Sequence, residues 1–115
     1  MTITLYGIPN CDTVKKARAW LDARGIPHAF HDYKKAGADP AKLNVWIAAV
    51  GWEKVLNRAG PTFRKLPDTD KAGLDADKAV AVMAAHTSCI KRPVVEHPGG
   101  LLVGFIEAEW AAALG

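Results

Sequence analysis

Two cysteines, Cys11 and Cys89, are the side chains of this sequence with the strongest intrinsic nucleophilic chemistry. Cys11 follows a turn-forming segment, residues 7–10, and precedes a segment with helical spacing, so its sulfur is expected near backbone amides that have no acceptor within the helix. Those amides, together with Lys15 and Lys16, favour an anion and hence the thiolate, which is the reactive form of cysteine. Packing as a small buried residue is the competing interpretation of this position.

The elements that would position Cys11 follow from the hydropathy periodicity. Residues 3–6 alternate apolar and polar side chains as a strand does, and from Asp12 or Thr13 the residues have the spacing of an amphipathic helix of about three turns, which Gly25 and Pro27 end. Residues 28–33 predict a second strand, with Phe30 in the core, that lies parallel to the first because a helical crossover connects parallel neighbours. Cys11 would then lie between the first strand and the helix.

The remaining elements predict the fold class. Further helices are expected from Asp39 and from Asp75 or Asp77, a short helical turn at 52–56, a loop at 57–72 anchored by Phe63 and Leu66, a hairpin at 90–103 and a last helix at 107–114. The order β-α-β, several helices, β-β-α predicts an α/β protein with a thioredoxin-like fold and a mixed four-stranded sheet. We expect a single domain over residues 1–115, with a helical insertion at about 39–86.

Composition excludes several classes of protein. The net charge of +3 comes from Lys and Arg residues scattered along 115 residues, which does not favour nucleic-acid binding. The amino-terminal residues lack the pattern of a signal peptide, and no apolar run is long enough to cross a bilayer. Two cysteines so far apart do not form a disulfide scaffold. These features predict a cytoplasmic protein without membrane association, and we expect a monomer.

Several separated motifs resemble the ArsC/Spx family and, within it, the YffB-type proteins. They are LYGIPNCDT at 5–13 followed by KKAR, FHDY at 30–33, LNRAGPTFRKL at 56–66 and IKRP at 90–93. The motifs are collinear over nearly the whole chain. The resemblance implies a thioredoxin-like fold with a helical insertion, a lone cysteine nucleophile at Cys11 and a cis-proline beside it, which is Pro93 here.

The resemblance also implies arginines that hold an oxyanion beside the cysteine, since the fork of guanidinium donors suits such a group. Arg92 matches one of them. Arg58 matches a second, although the loop alignment can shift by one residue, and Arg64 is a competing match. A solvated surface charge is the competing interpretation of either arginine. Gly104 stands where arsenate reductases have a third arginine, which weakens the case for arsenate as substrate.

The function that the resemblance implies is that of a glutathione-dependent thiol reductase. Cys11 would attack a glutathione mixed disulfide or another small disulfide, Arg92 and Arg58 would hold an anionic group, and Thr13 and Lys15 would complete the anion site. Glutathione is the expected co-substrate, and no bound cofactor is predicted. A glutaredoxin-coupled arsenate reductase, with glutaredoxin as partner, is the alternative; an Spx-like transcriptional regulator that binds RNA polymerase is the second alternative.

The other chemically active residues refine these expectations. Val14 occupies the position of the second cysteine of a CxxC motif, which predicts a monothiol mechanism and argues against the redox switch of some Spx regulators. Cys89, four residues before Pro93, could resolve an intermediate only if the two cysteine Cα atoms lie within about 7 Å, and apolar packing is the alternative. His31 and His86 lack the spacing of a metal-ligand set, so no metal site is predicted.

Overall fold

A computed structural model describes residues 3–114 of the chain. These residues divide into two compact units, residues 3–36 with 92–114 and residues 37–91. The single domain predicted over residues 1–115 extends to residues 1, 2 and 115, which lie outside the described part of the chain. The predicted helical insertion, about 39–86, falls within the second unit.

The first unit contains all four strands and the helices at the two ends of the chain. Its strands are β1 (Thr4–Gly7), β2 (Ala29–Asp32), β3 (Val94–His97) and β4 (Gly100–Val103), and its helices are α1 (Asp12–Ala23), α2 (Tyr33–Ala36) and α8 (Glu107–Leu114). The second unit contains α3 (Pro40–Val50), α4 (Trp52–Val55), α5 (Pro61–Arg64), α6 (Asp68–Lys71), α7 (Ala76–Ala85) and a 3-10 helix, Thr87–Cys89.

The strands form the mixed four-stranded sheet that the element order predicts, in the order β2-β1-β3-β4. β1 and β2 are parallel, and Gly7 at the end of β1 pairs with Asp32 at the end of β2. β3 runs antiparallel to both β1 and β4. Because the carboxyl ends of parallel strands meet at one edge of a sheet, the segment after Gly7 and the segment after Asp32 start side by side.

The core of the first unit explains why α1 lies against the sheet. Val14, Ala17 and Leu21 recur along one face of the helix and are fully buried, in a cluster with Leu5 of β1 and Trp110 of α8. Full burial of one such aliphatic side chain contributes about 1.5–3 kcal/mol. The amphipathic spacing seen in the sequence therefore fixes which face of α1 turns inward, and with it the direction in which the helix start presents Cys11.

Trp110 of α8 contacts both the segment that follows β4 and helix α1. The Trp110 indole N–H donates a hydrogen bond to the Gly104 carbonyl at 3.0 Å. The Trp110 ring also packs edge-to-face against Trp20 of α1 and Phe105, with ring centroids 5.8 and 4.8 Å away. Such pairs add to the stabilisation from area burial alone, so Trp110 joins α8 to α1 across the core of this unit.

The second unit is helical, and its two longer helices begin as predicted. The Asp39 carboxylate accepts the Ala41 N–H at 3.0 Å before α3, and the Asp75 carboxylate accepts the Lys78 N–H at 2.8 Å before α7. Each bond satisfies one of the amides that a helix start leaves unpaired. The apolar faces of these helices and α4 bury one another around Leu43, Trp46, Val55, Val80 and Met83.

The prediction of a plain loop at 57–72 was wrong. Two four-residue helices, α5 and α6, lie there, and Pro61 occupies the first position of α5, where its fixed φ suits a helix and its missing N–H costs nothing. Helices of one turn leave almost no periodicity in the sequence. Phe63 and Leu66 are both buried, as expected of the anchors of this segment.

Two strand boundaries also differ from the sequence prediction. β2 ends at Asp32, since the Asp32 carboxylate accepts the Lys35 N–H at 3.2 Å and so favours the helical turn that Tyr33 begins. β3 begins at Val94, while Ile90 forms an isolated bridge with Leu56. Among the helices of residues 3–114, none is long and apolar enough to cross a membrane.

Candidate functional site

Cys11 is the N-cap residue of α1, the position that the turn and helix pattern predicts. Its backbone is extended (φ −89°, ψ 124°), and its carbonyl accepts the first helical hydrogen bond, from the Lys15 N–H at 2.9 Å. The Cys11 side chain makes no capping hydrogen bond, so it does not satisfy the first-turn amides that lack acceptors within the helix. These amides, and the positive end of the helix dipole, favour negative charge at this position.

Cys11 and Arg92 meet in one small cavity. The cavity has a volume of about 170 Å³ and is lined by Ile8, Asn10, Cys11 and Arg92. Cys11 and Arg92 are half-buried, whereas Asn10 is exposed. A space of this size admits the sulfur end of a substrate or a small oxyanion but not a whole peptide. The cavity therefore presents a thiol and a guanidinium to the same small group.

Pro93 directly follows Arg92, which lines the cavity. The Arg92–Pro93 peptide bond is cis, the isomer that the family resemblance implies. Pro93 is buried, and its carbonyl accepts the Gly104 N–H at 2.8 Å. Gly104 has φ +78°, a left-handed conformation that residues with a side chain rarely adopt. The position of the third arginine of arsenate reductases is thus occupied by a residue whose backbone disfavours any side chain.

Thr13 and Lys15 lie on the first turn of α1, where the sequence places them. Both side chains are exposed, and so is Asp12 at the first helical position. Lys15 adds positive potential to that of the helix start, while the Asp12 carboxylate offsets part of it. Thr13 and Lys15 are accessible to a ligand at this end of the helix, and their roles as anion ligands stay predictions.

Tyr33 begins helix α2, although the sequence interpretation treated it as the end of a strand. It follows Asp32 at the carboxyl edge of the sheet, its side chain is 1% exposed, and its helix α2 packs against β1 and β2. Burial raises the pKa of the Tyr33 phenol well above its usual range. The Arg92 charge opposes this rise, whereas negative charge on Cys11 or Asp32 adds to it.

A sequence signal for Tyr33 exists in the parallel pairing of the first two strands. In a parallel pair, residues that follow the two strand ends lie at the same edge of the sheet. The residue after β2 is therefore a neighbour of the segment that leads from β1 to Cys11. A large polar aromatic residue at that point is a candidate member of the site once the crossover is recognised.

Arg58 and Arg64 lie in the second unit. The Arg58 side chain is exposed, and its guanidinium carbon lies 5.5 Å from the centroid of the Trp52 ring. Arg64 is also exposed, and its carbonyl accepts a hydrogen bond from the Lys71 ammonium at 3.0 Å. The choice between Arg58 and Arg64 as a second anion ligand stays a prediction.

Cys89 has the surroundings of a packed apolar residue. It ends the 3-10 helix, its side chain is 1% exposed, and its carbonyl accepts the Asn57 N–H at 2.6 Å. Burial raises the pKa of the Cys89 thiol, which keeps it protonated and unreactive near neutral pH. Within residues 3–114 no three His, Cys, Asp or Glu side chains come together as a potential metal-ligand group, His31 and His86 included.

A mixed sheet in this order, with a cysteine at the start of the first helix and a cis-proline before β3, defines the class as thioredoxin-like. Residues 6–113 match the profile of the ArsC family. The chain belongs to the ArsC family.

Known proteins are similar to this chain over almost its full length. The structure of a YffB protein is 54% identical, covers 98% of this chain and 99% of its own, and superposes with a TM-score of 0.96. An arsenate reductase (ArsC) related protein of Brucella melitensis is 52% identical over 97% of this chain and 93% of its own, with a TM-score of 0.77. The global transcriptional regulator Spx of Listeria innocua is 27% identical over 93% of this chain and 82% of its own.

Proposed function

We propose that this protein is a glutathione-dependent thiol reductase in which Cys11 is the nucleophile. The observation that supports this proposal is the shared cavity of Cys11 and Arg92 at the amino end of α1. A nucleophilic sulfur needs an environment that favours the anion and an approach for the electrophile. The helix start supplies the first, and partial exposure of Cys11 supplies the second.

The first proposed step forms a mixed disulfide on the protein. The Cys11 thiolate attacks the glutathionyl sulfur of a glutathione mixed disulfide, the substrate S–S bond breaks, and the released thiolate takes up a proton from solvent. Cys11 is then joined to glutathione. The Arg92 guanidinium holds a carboxylate of the glutathionyl group at the cavity, as a charge-assisted contact.

The second proposed step regenerates the thiolate. The thiolate of a second glutathione attacks the glutathionyl sulfur bound to Cys11, glutathione disulfide leaves, and Cys11 is again free. One mixed disulfide and one glutathione thus become one free thiol and one glutathione disulfide, with two electrons transferred. Val14 supports an external second thiol, because this position carries a fully buried apolar side chain in place of the second cysteine of a CxxC motif.

The remaining predicted residues assist with binding in this scheme. Thr13 and Lys15 complete an anion site at the start of α1, and Arg58 is a predicted ligand for a further carboxylate, with Arg64 as its alternative. Glutathione is a co-substrate and not a resident group, so the proposal needs no bound cofactor and no metal. The chain acts as a monomer in the cytoplasm in this proposal.

Steady-state turnover of a mixed disulfide between glutathione and 2-mercaptoethanol tests the proposal. We expect Cys11→Ser to reduce turnover to the uncatalysed background, because a hydroxyl cannot form the disulfide intermediate. Cys89→Ala is the matched control, since it removes the other thiol of the chain, and it should keep the wild-type rate. Full activity of Cys11→Ser, or none in the wild-type protein, would refute the proposal.

A glutaredoxin-coupled arsenate reductase is the second candidate, favoured by a cavity that sets one guanidinium beside one thiol. Gly104 counts against it, because glycine stands where arsenate reductases have a third arginine and its φ of +78° is a conformation that residues with a side chain rarely adopt. Assays with arsenate and with the mixed disulfide as substrates, each with glutathione and glutaredoxin present, distinguish these two activities.

Retention of RNA polymerase from cell extract by the purified protein would instead favour an Spx-like regulator, for which the 27% identity to Spx of Listeria innocua is the supporting observation.

A further inference from the structure

We propose that Asn10 is the specificity-determining residue of the Cys11 site. Its carboxamide pairs with a peptide amide of the substrate and so favours disulfides in which the attacked sulfur belongs to a peptidyl cysteine. The inference rests on the proposed function and deepens it, because it names the group that distinguishes a glutathionyl sulfur from a sulfur on a simple alkyl chain. Asn10 is not among the residues to which the sequence motifs give a role.

A tight turn fixes the position of Asn10 beside the nucleophile. The Cys11 N–H donates to the Ile8 carbonyl at 3.3 Å, which closes a turn with Pro9 and Asn10 at its two central positions. Both central residues have a negative φ, as they do in the common type I turn, where proline is favoured at the first position because its φ is already set. The Asn10 side chain therefore starts from a backbone that the turn and the proline ring hold in place.

Asn10 borders the same cavity as the thiol and the guanidinium. The cavity of about 170 Å³ is lined by Ile8, Asn10, Cys11 and Arg92. Asn10 is exposed, and its carboxamide forms no hydrogen bond with any of residues 3–114. Its oxygen and its NH₂ group are thus accessible to a molecule that enters the cavity.

A carboxamide is the side-chain group that matches a peptide bond. Its oxygen accepts a peptide N–H, and its NH₂ group donates to a peptide carbonyl. A guanidinium only donates and a thiolate only accepts, so neither Arg92 nor the Cys11 thiolate makes both kinds of bond. Among the side chains that line the cavity, Asn10 is the one that recognises a peptide amide from both sides.

The glutathionyl group carries such amides close to its sulfur. Only the β and α carbons separate the sulfur of a peptidyl cysteine from the amides on either side of it. Because consecutive Cα atoms lie about 3.8 Å apart, the side chains of Asn10 and Cys11 leave the chain as immediate neighbours. A glutathionyl sulfur that meets Cys11 therefore brings an amide within reach of the Asn10 carboxamide, whereas an alkyl disulfide brings none.

Arg92 and Asn10 recognise different properties of the substrate. The Arg92 guanidinium attracts any anionic disulfide, whether or not its sulfur belongs to a peptide, since the attraction depends on charge. The Asn10 carboxamide is neutral and responds to the amide alone. A pair of disulfides that have equal charge but differ in peptide content thus separates the contribution of Asn10 from that of Arg92.

The stoichiometric reaction of Cys11 with two such disulfides tests the inference without requiring turnover. Glutathione disulfide contains peptide amides, whereas 3,3′-dithiodipropionate has the same net charge at neutral pH and contains none. In each reaction the Cys11 thiolate attacks one sulfur, the substrate S–S bond breaks, and a mixed disulfide and one free thiolate form. Mass spectrometry of peptides measures the rate at Cys11.

In Asn10→Ala we expect the rate with glutathione disulfide to fall about three- to tenfold, the loss that one hydrogen bond of typical net strength implies. The rate with dithiodipropionate should stay at the wild-type value. Asn10→Ser keeps a residue that suits a turn but removes the carboxamide, so it should behave as Asn10→Ala does. Asn44→Ala is the matched control, the same substitution at an exposed position of α3, and it should react as wild type with both disulfides.

Equal losses with both disulfides in Asn10→Ala would overturn the inference, since they would show that Asn10 only shapes the turn. A wild-type rate with glutathione disulfide in Asn10→Ala or in Asn10→Ser would equally overturn it. If the turnover assay fails while the loss specific to glutathione disulfide is present, the proposed reductase is removed and the role of Asn10 is retained. Turnover without that loss retains the reductase and removes the inference.

Discussion

A Cβ atom at Gly7 would lie 2.8 Å from Cγ2 of Val14. Real Cβ atoms essentially never come so close to another carbon, and Val14 is fully buried against Leu5 and Leu21, so it has little space to move aside. Because Gly7 at the end of β1 has no Cβ, the first turn of α1, with Cys11 at its cap, can lie this close to the sheet.

Gly7→Ala is therefore expected to push the start of α1 away from β1. We predict a loss of about 1–3 kcal/mol in the free energy of unfolding, the usual range for overpacking a core, and slower alkylation of Cys11 in the folded protein. Urea denaturation and the iodoacetamide rate measure the two effects. In the double variant with Val14→Ala the clash is removed, so the alkylation rate should return toward that of wild type; independent, additive effects would contradict this account.

The two cysteines should differ sharply in reactivity. Cys11 is half-buried and borders a cavity, whereas Cys89 is 1% exposed and burial raises its pKa, so only Cys11 presents an accessible sulfur. In native protein at pH 7, iodoacetamide should add one carbamidomethyl group rapidly, and the second only after unfolding in urea. Mass spectrometry of peptides assigns each group to its cysteine. Rapid modification of Cys89 in the folded chain would disprove its packing as described.

Periodic patterns and strong local residue preferences were predicted correctly from the sequence, whereas features that depend on tertiary packing were not. The amphipathic face of α1 and the cap at Asp39 follow from local chemistry that repeats or has a strong residue preference. The cap of α7 is Asp75, one of the two residues, Asp75 and Asp77, between which the sequence did not decide. α5 and α6 were missed because one-turn helices depend on tertiary packing. The burial of Tyr33 at the start of α2 was missed for a related reason: it depends on packing against β1 and β2, which its neighbours along the chain do not indicate.

The residues at the Cys11 cavity also separate into features that the sequence predicts and features that depend on the whole fold. Cys11 and the cis Arg92–Pro93 bond were anticipated, the first from its position before a helix and the second from the motif that carries it. That Arg92 borders the Cys11 cavity depends on β3 lying beside β1, which is a property of the whole sheet. The left-handed conformation of Gly104 follows from a hairpin end whose geometry local sequence does not specify.

The buried phenol of Tyr33 should make folding stability fall at high pH. In the unfolded chain the phenol ionises near pH 10, whereas in the folded chain burial raises its pKa well above that value. Between the two values the unfolded state binds one proton fewer than the folded state, so the free energy of unfolding decreases by about 1.4 kcal/mol per pH unit above about pH 10. Below the unfolded value the contribution is fully present.

Denaturation by urea between pH 8 and 11 measures this loss, and Tyr33→Phe isolates it from the titration of lysines and of Cys89. The variant should lack the additional decrease above pH 10 that wild type has, while Tyr6→Phe serves as a comparison for the loss of a phenol elsewhere on the sheet. Parallel curves for wild type and Tyr33→Phe over the whole range would mean that the Tyr33 phenol titrates as freely in the folded chain as in the unfolded one.

Removal of the Arg92 charge should weaken substrate capture more than it weakens the fold. Arg92 is half-buried at the Cys11 cavity, and a charge-assisted contact contributes about 1.5–3 kcal/mol, so Arg92→Gln should lower kcat/KM for a glutathione mixed disulfide by about 10- to 100-fold, mainly through a higher KM. Arg92→Lys should recover part of the loss, since it restores the charge without the two-donor fork. Arg24→Gln is the matched control: Arg24 is exposed and lies 4.2 Å from the centroid of the Trp20 ring, at the far end of α1 from Cys11. An equal fall in kcat/KM for both glutamine variants would show that general surface charge, and not the cavity guanidinium, attracts the substrate.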